Sequence, residues 1–132
     1  MMNAEDYLAL IKSLIALCPE VMDFSILREE AQVTKGLWRY RITLKDHSFL
    51  EMFEFFEIQS GQVKIIKYSF HWQKYDGQLI KRWDNAAHHP EIETYPDHLH
   101  DAAEDSVFPY QPVGFYGILK IVSEQVNSSL ED

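Results

Sequence analysis

The chain has 132 residues, 46% of them hydrophobic, which is one domain long enough to bury a real core. A net charge of −9 argues against non-specific nucleic-acid binding, which depends on Lys and Arg at phosphates. The lone Cys18 excludes an internal disulfide and any cysteine-based zinc finger.

The N-terminus, Asn3-Ala4-Glu5-Asp6, is acidic where a secretory leader is basic, and no apolar run approaches about 18 residues. The expectation is a cytoplasmic protein without membrane contact. In residues 4–17, Tyr7, Leu8, Ile11, Leu14 and Ile15 fall at helical spacing, with Asn3 or Asp6 near the N-cap. β-branched and aromatic runs follow, broken by Thr34-Lys35-Gly36, Lys45-Asp46-His47-Ser48, Ser60-Gly61 and Asp76-Gly77. These signals predict five strands near 24–33, 37–44, 49–59, 62–74 and 78–84. Residues 101–113 read as an irregular acidic connector, and 114–127 as a second helix carrying Phe115, Ile118, Leu119, Val122 and Val126. The predicted architecture is α+β: a five-stranded antiparallel meander with the N- and C-terminal helices packed on its aromatic face.

Pairing the residues that flank each turn gives a register. It puts Trp38, Tyr40, Ile42, Leu44, Phe49, Phe53, Phe55, Ile66, Tyr68, Phe70, Trp72 and Trp83 on one face, with Glu51 as an unexplained exception. The opposite face receives three rows: Glu30, Arg41, Met52, Ser69 and Asp84; Arg28, Thr43, Leu50, His71 and Arg82; Gln32, Arg39, Glu54 and Lys67. His71 then lies beside Arg82 and diagonally near Asp84, where the polar stretch 84–100 leaves the sheet.

That stretch holds four of the six histidines: His88, His89, His98 and His100. Histidine can give and take a proton near neutrality, and its neutral ring can bind a metal. The leading reading is metal-free acid/base chemistry on a phosphodiester. Its proton-transfer candidates are His71, His88, His98 and His100, its phosphate holders Arg41 and Arg82, and its orienting groups Glu54 and Asp84. No cofactor and no metal enter this reading. A metal site is the second reading: His98 and His100, two apart on an extended chain, share a side, and His88 or His89 with Asp84 or Asp97 can complete a set. The adjacent His88 and His89 point oppositely and cannot both take part. The bland counterpart is a row of solvated loop histidines and surface ion pairs, each pair worth roughly 0–1 kcal/mol. Charge is uneven: residues 35–83 hold nine Lys/Arg against five Asp/Glu, and 84–132 one against ten. A solvated acidic tail accounts for this simply.

Phe70-His71-Trp72-Gln73, the Asp76-Gly77 turn, Arg82-Trp83-Asp84-Asn85-Ala86, His88-His89-Pro90-Glu91-Ile92, Pro96 and His98-Leu99-His100 come in an order that resembles the TumE-like family of prokaryotic toxins. The resemblance runs over roughly 24–125 and is most specific over 70–100. Ala87 stands where that family commonly has proline, and Asp97 where a histidine or another residue is expected, a change that would thin the histidine cluster. The resemblance implies the toxin half of a toxin–antitoxin pair. It also implies a small antitoxin partner, with a DNA-binding helix-turn-helix, encoded elsewhere. With the chemistry above, the expected function is a toxin acting on RNA as a metal-independent ribonuclease. A non-catalytic protein-binding module and a metal-dependent hydrolase are the alternatives.

Overall fold

In the computed structural model, residues 2–131 are described. The first helix, α1 (Ala4–Ala16), begins with a capping box: the Asn3 side chain accepts from the Asp6 N–H, and the Asp6 carboxylate accepts from the Asn3 N–H. It buries Ala4, Tyr7, Leu8, Ile11 and Ile15, the stripe that its 3.6-residue period demands. The last helix, α2 (Phe115–Glu131), buries Phe115, Ile118, Leu119, Val122 and Val126 in the same core. No helix among the described residues is long and apolar enough to cross a membrane.

Between the helices, seven strands pair in chain order as one antiparallel meander, two more than the five expected. They are β1 (Val21–Ala31), β2 (Lys35–Leu44), β3 (Phe49–Gln59), β4 (Gln62–Gln73), β5 (Leu79–Asp84), β6 (His98–Asp101) and β7 (Val107–Pro109). The two additional strands come from the supposed loop and connector. They are four and three residues long and nearly free of β-branched side chains, so a signal based on composition passes over them.

The register differs from expectation at three places. Between β2 and β3, Leu44 and Ser48 close a turn of three residues, with His47 in the left-handed region (φ 71°). A three-residue turn shifts the pairing by one and so exchanges the faces of β3. Leu50, Met52, Glu54 and Phe56 are thereby buried, whereas Phe49, Phe53 and Phe55 stand on the other face. Between β3 and β4 a bulge intervenes, Phe56 facing Ile65 but Phe55 facing Lys67. This extra residue leaves Ile66 exposed and returns Tyr68, Phe70 and Trp72 to the core. Asn85 braces the bulged strand: its side chain accepts from the Tyr68 N–H and donates to the Ile66 carbonyl. The third difference is in β1, whose pairing with β2 is displaced by four to six residues and interrupted twice. Ser25, not Glu30, faces Arg41.

The core face does carry a carboxylate, but it is Glu54, expected on the polar face, and not Glu51. Glu54 is fully buried beneath both helices. Its Oε1 accepts from the Tyr7 hydroxyl (2.6 Å) and from Trp38 Nε1 (3.1 Å). Its Oε2 has no hydrogen-bond partner, although the Phe115 N–H at the start of α2 lies near it. Burial pushes its carboxyl up to about 7, and the Tyr7, Trp38 and Phe115 donors only partly oppose that.

Gly36 marks the closest approach of backbone to core. A Cβ there would lie 2.7 Å from the Glu30 carbonyl oxygen and 2.9 Å from Phe56 Cζ. Gly36→Ala is expected to destabilise the fold by about 1–3 kcal/mol, read from the urea midpoint.

Candidate functional site

The solvent side of the sheet is organised in two rows that cross five strands. One runs Arg41, Glu51, His71, Arg82, His100; the other runs Arg39, Phe53, Ser69, Asp84, His98. Each step is a direct cross-strand partner, so the side chains share a face at contact distance. A cleft of about 430 Å³ opens over the first row, its lining including Arg39, Arg41, Glu51, Ser69, His71 and Arg82.

Three arginines in one cleft is a local excess of cation in a chain of net charge −9. The Arg39 guanidinium bonds Glu51 Oε2 at 2.9 Å and lies 4.7 Å from the Phe53 ring centroid. The Arg41 guanidinium is 4.3 Å from the Phe49 ring centroid, and among the described residues no carboxylate pairs with it. The exchange of β3 faces supplies these aromatic beds, and they hold the planar forks extended toward solvent. Arg82 Nε donates to Asp84 Oδ2 at 3.1 Å.

Asp84 is the hub between this cleft and a second group. It is buried, and its Oδ1 accepts from the Ala86 N–H (3.0 Å). His98 Nε2 lies 2.9 Å from Oδ1, and His100 Nε2 lies 3.7 Å from Oδ2. The 85–97 segment folds back through short turns, so that His89 comes over both rings. Ring centroids are 5.1 Å apart for His89–His98, 5.8 Å for His89–His100 and 4.9 Å for His98–His100. One nitrogen from each of the three falls within 4.8 Å of the others, a set that can hold a metal ion.

Of the residues expected at the site, His71, Arg82 and Arg41 share the cleft, and Asp84 adjoins it through Arg82. His98 and His100 stand on the same face but are buried and outside the cleft lining. His88 is exposed and lies outside the histidine cluster; its neighbour His89 takes that place. Glu54 is on the opposite face of the sheet, and the β3 carboxylate that lines the cleft is Glu51. Sequence reading therefore missed Glu51 and Arg39, and it named His89 only as an alternative to His88 in the metal reading. The signal for Glu51 was its own misfit, a charge assigned to an aromatic face. Nothing in the residue pattern chose between His88 and His89.

No curated protein and no solved structure was found to match the chain. A family model does match it: the one described as Toxin TumE, over residues 11–130. The match takes in all seven strands, the second half of α1 and nearly the whole of α2, including the 70–100 segment on which the motif resemblance rested. The chain therefore belongs to the Toxin TumE family, and its role is that of a toxin.

Proposed function

We propose that this toxin cleaves RNA in the cleft over β2–β5, with Glu51 and His71 as the acid/base pair and Arg39, Arg41 and Arg82 around the phosphate. The observation that carries the reading is the direct pairing of Glu51 with His71 across β3 and β4, with Arg41 and Arg82 as the next partners on either side. A carboxylate and an imidazole on adjacent strands can reach opposite sides of one phosphate, and planar cations beside them favour charge that builds on its oxygens.

In this reading Glu51 takes the proton of a ribose 2′-hydroxyl, and the 2′-oxygen bonds to the adjacent phosphorus. The bond from phosphorus to the 5′-oxygen breaks, and His71 gives that oxygen its proton. The products are a 2′,3′-cyclic phosphate and a 5′-hydroxyl. Asp84 acts indirectly, because its carboxylate holds the Arg82 fork from behind. Membership in a toxin family also implies an antitoxin partner in general. An acidic partner segment lying in the three-arginine cleft would occupy the phosphate positions.

The test uses purified chain, free of partner, and a short RNA beside a copy carrying a single 2′-deoxy residue at the cleaved step. Cleavage is expected at the ribose step with a cyclic-phosphate end, and none at the deoxy step. Equal cleavage of both, or a 5′-phosphate product, would contradict the mechanism.

A further inference from the structure

We infer that His89, His98 and His100, with Asp84 as the fourth ligand, form a site for one divalent transition-metal ion of the zinc class. The site ties the 85–97 segment to β5 and β6. This inference does not depend on RNA cleavage, since its ligands are distinct from the proposed acid/base pair.

The first support is how the rings are held. His98 Nδ1 lies 2.9 Å from the Pro96 carbonyl oxygen, and His100 Nδ1 lies 2.8 Å from that of Glu104. His89 Nδ1 lies 3.2 Å from Glu91 Oε1. A carbonyl only accepts, so His98 and His100 must donate through Nδ1–H, and the carboxylate of Glu91 asks the same of His89. Each neutral ring is then left with its lone pair on Nε2. An oxygen acceptor on the far nitrogen is the usual support of a metal-binding histidine, because it fixes the tautomer and the orientation of the ring. It occurs here three times within one cluster.

The second support is independent of the clustering. His98 is 2% exposed, and its Nε2 lies 2.9 Å from Asp84 Oδ1 without the alignment of a hydrogen bond; it is a buried polar atom with no hydrogen-bond partner. With Nδ1–H already committed, a lone pair faces a carboxylate oxygen, acceptor against acceptor, which is costly inside a protein. A cation between the two atoms removes the conflict.

Donor chemistry then selects the ion. Three imidazole nitrogens and one carboxylate suit zinc and its first-row neighbours, whereas Mg²⁺ and Ca²⁺ prefer oxygen ligands. Tetrahedral bonds near 2.0–2.1 Å need ligand atoms about 3.3 Å apart. The three histidine nitrogens lie within 4.8 Å of one another, and Asp84 joins them through Oδ1, 2.9 Å from His98 Nε2. The Arg82–Asp84 contact uses Oδ2, whereas Oδ1, which accepts from the Ala86 N–H, has a second lone pair for an ion beside His98.

The test is calorimetric titration of untagged, chelator-treated full chain with Zn²⁺, and separately with Mg²⁺, at neutral pH. One Zn²⁺ is expected per chain at micromolar affinity or tighter, with a rise in the thermal midpoint that Mg²⁺ does not produce. Co²⁺ in place of Zn²⁺ should give the visible absorption of a tetrahedral site. His89→Ala, on a partly exposed loop and therefore able to fold, is expected to weaken Zn²⁺ binding at least about 100-fold. His88→Ala should leave it unchanged. No saturable Zn²⁺ binding in the micromolar range, or equal binding after His89→Ala, would overturn the site and leave a protonated histidine–aspartate cluster in its place.

Discussion

Replacing His71 with alanine is expected to lower the rate of RNA cleavage about 10²–10⁴-fold, the usual contribution of a positioned proton donor. His71 lines the open cleft and is half-buried, and no hydrogen bond to its side chain is seen among the described residues, so the fold has little to lose. The urea midpoint of His71→Ala should correspond to wild-type stability within about 0.5 kcal/mol, as for ordinary surface substitutions. Arg82→Ala is a poorer probe, because it also strips the buried Asp84 of a charge partner. An unchanged rate after His71→Ala would remove the proton-transfer role, whatever the arginines do.

The second large effect concerns Glu54 and is a matter of stability. Burial raises its carboxyl from the ordinary 4.5 to about 7. Across that interval the folded chain keeps a proton that the unfolded chain has released. Stability is therefore fully present below about pH 4.5, falls as pH rises toward 7, and levels off above. A shift of this size amounts to about 3 kcal/mol, at 1.36 kcal/mol per unit. Glu54→Gln cannot ionise and retains an oxygen to accept from Tyr7 and Trp38. Urea unfolding at pH 5 and pH 8 should show wild type losing about 2–3 kcal/mol more than Glu54→Gln between the two, part of the loss having already occurred at pH 5. Parallel losses would mean that Glu54 is not the group responsible.

Much of the molecule was legible because apolar periodicity constrains it strongly. The stripe Tyr7, Leu8, Ile11, Ile15 and the stripe Phe115, Ile118, Leu119, Val122 face the core as their spacing requires. The His71–Arg82 pairing was also legible, though partly by cancellation. Lys74 and Gln78 close a three-residue turn, and an irregularity between Trp72 and Gln73 restores the register that a two-residue turn would have given. A similar cancellation operates across β3. Only the faces cancel: the turn at His47 and the bulge at Ile66 each shift the pairing by one residue, so β2 and β4 keep their expected faces, β3 is reversed, and Arg41 comes into line with His71 instead of Ser69.

Neither irregularity advertises itself in residue type. His47 takes a left-handed conformation that turn signals usually assign to glycine or asparagine. The bulge shows only as a break in alternation, Ile65 directly followed by Ile66. Glu51 and Glu54 exchanged roles for this reason alone. The His98 and His100 pair was visible as a spacing. What the sequence lacked was the fold-back of 85–97 that selects His89 and places a buried carboxylate beneath the rings, because such long-range placement leaves no local pattern.

The most direct measurement compares Glu51→Gln and Glu54→Gln in the same RNA cleavage assay, each checked for folding. With β3 facing as observed, Glu51→Gln should lose at least about 100-fold in rate, the low end for an acid/base group, and Glu54→Gln should stay close to wild type. Full activity in Glu51→Gln, or loss confined to Glu54→Gln, would contradict the site on this face of the sheet.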